Sequence, residues 1–192
     1  MKIIGIFVND DTYEGLHSFV HDTDYSDEAE CEFDQLILQW TDDEYVSNYL
    51  LANKSFWQTP YFEGVTMDDL IETIRAEAVK LEDLIYGYAT DGTNNSDKLQ
   101  MIFKPLHDRE HRLPVHQETK AKASKKGLLR IYAIRLDDNT FIVTGGAIKL
   151  TKQMDEHEDT IKELEKIEIV KKYLRANDIT YADDLIYYYE PE

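Results

Sequence analysis

One cysteine, Cys31, stands in the whole chain, so no internal disulfide can form and no zinc site can be assembled from paired thiolates. Its simplest role is that of a small buried hydrophobe. No stretch approaches the roughly 18 to 20 uninterrupted apolar residues that a membrane-spanning helix requires, and Met1-Lys2-Ile3 runs into a strand-like segment without a signal-peptide cleavage pattern. A cytoplasmic protein with no membrane contact is therefore expected. GxGxxG after the first strand, a Walker-type phosphate loop, GxSxG and HExxH are all missing, which removes the starting residues for nucleotide-binding, α/β-hydrolase and zinc-protease readings. Internal repeats and low-complexity tracts are also lacking. Positive charge is scarce, with 21 Lys and Arg against 39 Asp and Glu for a formal net charge of −18. Phosphate binding runs on Lys and Arg displacing counterions, so that total argues at first against nucleic acid as a partner.

What is present points to a folded core. The 192 residues are 42% hydrophobic and include 13 Tyr, 7 Phe and 2 Trp, rings that cover large apolar areas and that disordered acidic chains usually lack. The charge is also unevenly spread. Residues 1–103 carry 5 basic and 22 acidic side chains and residues 153–192 carry 5 and 12, whereas residues 104–152 carry 11 and 5. A positive island in an acidic protein steers an anion to one face and repels it elsewhere. It also fits a lysine-rich exposed loop beside solvated acidic faces.

Along the chain, Lys2–Asn9 reads as an opening strand stopped by Asn9-Asp10-Asp11. Phe33, Leu36, Ile37 and Trp40 define one face of a helix within 27–40. A second helix is predicted over 42–52 with Tyr45, Tyr49 and Leu50 buried, and Pro60 breaks the pattern after it. The strongest helix signal covers 66–86, where Thr66 and Asp69 form a variant capping box ahead of an apolar stripe from Met67 to Ile85. Asp91–Asn95 is turn chemistry, and Ser96 opens a short amphipathic helix holding Leu99, Ile102 and Phe103. Residues 107–127 are polar and basic without periodicity, the best candidate for a mobile loop. Leu128–Arg135 and Thr140–Thr144 around a tight turn predict a hairpin in the middle of a sheet, its return strand running through a bulge at Gly145-Gly146 to Lys152. A last helix follows Thr160, with Glu163 reaching back to the cap and Ile161, Leu164, Ile167, Val170 and Leu174 on its stripe. Tyr181–Glu190 fits either a closing strand or a tail. The expected architecture is α+β, a small mixed or antiparallel sheet flanked by helices, in one domain over 1–192. Its parts are an acidic strand-plus-helix segment (1–95), a basic loop (107–127), and a hairpin with a C-terminal helix (128–175).

Three constellations could carry chemistry. His107, His111 and His116 with Asp108 suggest a metal, but Arg109 and Arg112 would repel a cation, so no metal and no cofactor is expected. The pairs Asp10-Asp11, Asp42-Asp43 and Asp183-Asp184 read as solvated surface carboxylates. The third set is Arg130, Tyr132, Arg135, Lys149 and Lys152. Arg130 and Tyr132 lie two apart on a strand and share a face, with Arg135 on the other. A partner strand ending at Lys149 would set an ammonium beside the guanidinium, an arrangement suited to phosphate esters. Metal-free RNA cleavage needs a base for the 2′-hydroxyl, cations on the phosphate and an acid for the leaving oxygen. The plain alternative is that Arg130 and Tyr132 merely pair with nearby carboxylates.

From Phe103 to Arg175 the chain resembles the RelE/HigB superfamily of toxin–antitoxin toxins, particularly its phage-derived HigB-like branch. The resemblance rests on Phe103-Lys104-Pro105-Leu106, the basic stretch after it, the strand opening at Leu129-Arg130, a return strand ending near Gly145-Gly146, and Lys149-Leu150-Thr151-Lys152 before a charged helix. It implies a mixed sheet flanked by helices and a metal-independent endoribonuclease acting on mRNA, free or on the ribosome. An antitoxin, often a helix-turn-helix protein, would hold it inactive. Arg130, Lys149 and Lys152 match the family's basic positions and would be catalytic, with Lys125, Lys126, Arg135 and Tyr132 contacting RNA. This chain departs from the family in its length, its acidity, about 100 extra N-terminal residues, and Lys149-Leu150 in place of paired lysines. An interaction or regulatory protein that keeps the fold without the chemistry is the alternative, and an acidic N-terminal half lying over the basic island is a further expectation.

Overall fold

The computed structural model describes residues 1–20, 30–90, 99–106, 115–151 and 158–190, with 158–160 as backbone only. The predicted Asp91–Asn95 turn, the Ser96 helix start and the Thr160 side-chain cap lie outside the described residues. The chain opens as a hairpin of β1 (Lys2–Val8) and β2 (Gly15–Val20). In the connecting turn, Asn9 Oδ1 accepts hydrogen bonds from the backbone N–H groups of Asp11 and Thr12 at 2.9 and 3.1 Å. Gly15 closes the turn at φ +138°, where a Cβ would run into the Phe7 carbonyl.

Four helices follow: α1 (Glu32–Thr41), α2 (Asp43–Ala52), α3 (Lys54–Trp57) and, after a 3₁₀ turn at Pro60–Phe62, α4 (Met67–Thr90). Their ends are written in the sequence. Asp42 Oδ1 caps α2 by accepting from Glu44 and Tyr45 N–H, and the Thr66–Asp69 box forms reciprocally, Asp69 N to Thr66 Oγ1 at 3.1 Å and Thr66 N to Asp69 Oδ2 at 2.8 Å. A 3₁₀ turn at Leu99–Met101 leads to β3 (Lys104–Pro105), β4 (Gln117–Ala121), β5 (Leu129–Arg135) and β6 (Phe141–Ile148), then α5 (Glu158–Ala176) and α6 (Asp184–Tyr189).

The six strands form one mixed sheet in the order β1-β2-β6-β5-β4-β3, antiparallel except where β2 meets β6. The alternation along β5 sorts the core into two layers. Ile131 and Ala133 join Phe141, Val143, Phe33, Trp40, Ile74 and Leu81 under α1 and α4, while Tyr132 and Ile134 join Phe19, Ile142, Ile167, Val170 and Leu185 under α5 and α6. The expected α+β architecture is therefore present, with β5 and β6 central in the sheet and covered on both faces.

The N-terminal part of the chain joins this sheet through β1 and β2, which extend it past β6. Strand β2 was not foreseen, since His17 and Ser18 interrupt its apolar run. Both are fully buried, His17 Nδ1 lying 2.8 Å from the Tyr189 hydroxyl and Nε2 2.9 Å from the Tyr13 carbonyl oxygen. Gln117–Ala121, expected within a basic loop, instead pairs with β5 as β4. Its polar side chains are satisfied there, Thr119 Oγ1 donating to the Ala133 carbonyl at 2.8 Å. Tyr181–Glu190 contributes neither strand nor tail but α6. Its Tyr188 hydroxyl accepts from Ile3 N–H at 3.1 Å, clasping the edge strand β1. Ile161 is exposed, and Glu163 takes the buried place ahead of Ile167, Val170 and Leu174. On α2, Val46 is buried and Tyr45 is exposed.

The bulge at Gly145 lets the Glu163 carboxyl sit against bare backbone, and a Cβ there would collide with it. Gly145→Ala is therefore expected to cost about 1–3 kcal/mol in urea denaturation. Gly87→Ala, on α4 where a Cβ meets no atom within 4 Å, is expected to stabilise the protein by about 1 kcal/mol.

Candidate nucleic-acid interface

The turn between β4 and β5 carries Lys125 and Lys126, both exposed. It is held from α4, where Glu77 Oε2 accepts from Leu128 N–H at 2.6 Å and Leu129 N–H at 3.0 Å. The exit of β6 is fixed beside it, with Lys149 N–H donating to the Leu128 carbonyl at 2.6 Å and the Tyr49 hydroxyl to the Ile148 carbonyl at 3.2 Å. Arg130 lies at the start of β5, and its Nη1 donates to the carbonyls of Gly127 and Leu129, both at 2.6 Å. Burial pulls the Arg130 pKa below its ordinary value, opposed by Tyr132 and Glu77. A guanidinium stays charged through such a shift.

These elements enclose a cleft of about 440 Å³. Lys125, Lys126, Gly127, Leu128, Arg130, Lys149, Leu150 and Thr151 line it from the β4–β5 turn, the start of β5 and the exit of β6, and Ser55, Phe56, Thr59, Tyr61 and Phe62 line it from α3 and the 3₁₀ turn. Four of the seven residues singled out in the sequence thus share one cleft, and no acidic side chain is among its described lining residues. The Arg130 guanidinium donates to backbone carbonyls, with the Glu77 carboxylate acting on it through space and no ion pair to it among the described residues. Among the described residues the N-terminal half contributes Phe56, Tyr61 and Phe62 to the cleft lining.

The remaining residues are placed elsewhere. Tyr132 is a correction: it is fully buried in the layer beneath α5, so it has no surface to offer a ligand, and burial pushes its phenol up to about 12. Arg135 is a second correction, because it lies at the far end of β5, paired with Asp138 and donating to the Asp137 carbonyl. Lys152 lies outside the described residues, as do His107, Asp108, Arg109, His111 and Arg112. His116 is described and buried, its Nε2 lying 2.8 Å from the Ile179 carbonyl oxygen. Among the described residues no group of three His, Cys, Asp or Glu converges on a metal position. Cys31 is buried, its thiol donating to Asp34 and pushed up to about 11 by burial.

A second cavity of about 370 Å³, between α1, α2 and α5 where β6 ends, was not foreseen. Lys166 Nζ bridges two carboxylates there, 2.7 Å from Glu32 Oε1 and 2.9 Å from Glu163 Oε1. Glu163 Oε2 is buried without a hydrogen-bond partner among the described residues. Burial pushes the Glu163 carboxyl up to about 7, against the pull of Lys166. The available signal was its position, four residues before Ile167 on the apolar stripe, where an acid is out of place.

Comparison with protein-family models, with curated proteins and with solved structures finds no match.

Between about pH 4.5 and 7 the folded chain keeps a proton on Glu163 that the unfolded chain releases, so this residue makes stability fall as pH rises through that window. His17, lowered to about 4 by burial, tilts the opposite way below 6.5, and His116 is lowered in the same sense. The difference between wild type and Glu163→Gln isolates the carboxyl. Wild type is expected to lose about 3 kcal/mol relative to the variant from pH 4.5 to 8, read from urea midpoints at each pH. A constant difference would exclude a proton on Glu163 near neutrality.

Proposed function

We propose that this chain is a HigB-like protein of a toxin–antitoxin or phage-defence module, acting in the cytoplasm on RNA through the cleft formed by Lys125, Lys126, Arg130 and Lys149. The observation that carries the reading is the gathering of four cations, with no acidic lining residue described, in a chain of net charge −18. The backbone hydrogen bonds of Leu128 and Lys149 fix the strands that carry two of them, which favours a preorganised phosphate site over a solvated lysine loop. Arg130 is the group suited to grip a phosphodiester through two nitrogens, with Lys149 as second phosphate contact and candidate base. Lys125 and Lys126 would contact neighbouring phosphates, and Lys152 would extend the same basic run. A helix-turn-helix antitoxin is the partner this reading implies, with mRNA, free or on the ribosome, as substrate.

The second reading is an RNA-binding regulatory protein without cleavage. It is favoured by one observation: the described lining holds no carboxyl or imidazole to serve as a conventional acid or base.

Binding of a labelled single-stranded RNA should weaken about 10- to 100-fold in Arg130→Ala. In Lys149→Ala the slope of log affinity against log salt should become shallower by about 0.7. Under the toxin reading, expression of the wild type arrests growth, purified protein cleaves RNA in the presence of EDTA, and both effects vanish in Arg130→Ala. Harmless expression with RNA binding intact selects the regulatory reading. Affinity for RNA that neither substitution alters would remove the cleft from both.

A further inference from the structure

We infer that the cleft takes an unpaired nucleotide, its phosphate on the cations and its base stacked on Tyr61, so that the RNA recognised is single-stranded. This rests on the phosphate reading of the same cleft. The support is a juxtaposition the sequence did not reveal: Tyr61 lies more than sixty residues from the nearest of the four cations and lines the same cleft.

Tyr61 is held in place yet left uncovered. Pro60 sets the first residue of the 3₁₀ turn, and Phe62 N–H donates back to the Thr59 carbonyl at 3.0 Å. Phe62 is buried, and the Tyr61 ring stands edge-on to it with centroids 4.9 Å apart and planes at 88°. The turn is anchored behind by Trp57, whose indole N–H donates to the Leu50 carbonyl at 2.8 Å. Despite this support Tyr61 remains 66% exposed.

A large ring kept in solvent by a buried neighbour, lining the same cleft as four cations, matches the two needs of single-strand recognition. The cations take the backbone, and the ring takes a base face of any sequence. An A-form duplex keeps its bases stacked inside and would offer the ring nothing. An acidic peptide would satisfy the cations equally well and leave the ring without a role, so the aromatic component favours the nucleotide.

The test measures fluorescence anisotropy of the full chain with one RNA sequence offered as a single strand and as a duplex, and with poly-glutamate as competitor. The single strand is expected to bind more tightly than the duplex. Tyr61→Ala should lower single-strand affinity about 5- to 150-fold and leave duplex affinity unchanged, while Tyr61→Phe, which keeps the ring, should bind as wild type does. Equal binding of both forms, or a Tyr61→Ala variant that loses nothing while Lys149→Ala weakens binding, would overturn the inference and leave the phosphate reading standing. Poly-glutamate displacing the RNA at equal charge concentration would assign the cleft to an acidic protein instead. RNA bound by none of these proteins would end the phosphate reading and this inference together.

Discussion

The two halves of the sheet meet along one short parallel register, Leu16 opposite Phe141 and His17 opposite Ile142, and the rest of the molecule depends on that seam. Two residue pairs supply few ladder hydrogen bonds, so side chains must hold the join. Leu16 and Phe141 pack into the layer beneath α1 and α4, while His17 is secured on the other side by the Tyr189 hydroxyl of α6. Ser18 Oγ accepts from Phe33 N–H at 3.1 Å, which ties the start of α1 to β2. The cleft draws on chain segments from both sides of the seam. Its rings belong to the segment between β2 and α4 and its cations to the β4–β5 turn, the start of β5 and the exit of β6, so neither half makes it alone.

The same seam explains the buried carboxyl. Beyond Ile142, β2 and β6 have no further register pairs among the described residues. Helix α1 follows β2 onto one face of the sheet, and α5 follows β6 onto the other. Adjacent parallel strands whose continuations leave in opposite directions open a crevice at their carboxyl ends, a common place for polar groups and ligands. Here Glu163 and Trp40 close over Gly145 and Gly146, which lack the Cβ atoms that would exclude them. A carboxylate so placed is costly without a partner, and Lys166 offsets that cost by bridging it to Glu32.

Much of this was legible where local chemistry decides structure. The Thr66–Asp69 cap, the stripe of α1 and the hairpin of β5 and β6 are stated by neighbouring residues and were recovered from them. What escaped depends on distant partners. β2 reads as a broken apolar run until Tyr189 and Tyr13 satisfy His17, and β4 reads as a charged loop until β5 receives its backbone. The site divides the same way. Lys125, Lys126, Arg130 and Lys149, singled out from the local charge, the pairing of the hairpin and the family resemblance, line one cleft. Tyr61 was missed because nothing near it in the chain announces a cleft. Tyr132 was misjudged because the period of a strand tells which side chains share a face, and not which of them a helix will cover.

The charge distribution finally bears on how such a cleft would select. At physiological salt the Debye length is about 8 Å, so the excess of acidic groups acts weakly on a chain already seated but repels one that lies across the surface. As salt is lowered that repulsion lengthens its reach while the four cations strengthen their hold, and the two changes oppose each other. A basic RNA-binding protein gains affinity for every exposed phosphate as salt falls. On the proposed reading this one would gain it only at the cleft, while the penalty elsewhere would grow with the length of the nucleic acid. If the cleft binds RNA as proposed, the acidity that first seems to exclude RNA would act around the four cations as a filter against long or rigid polyanions and in favour of a short flexible strand.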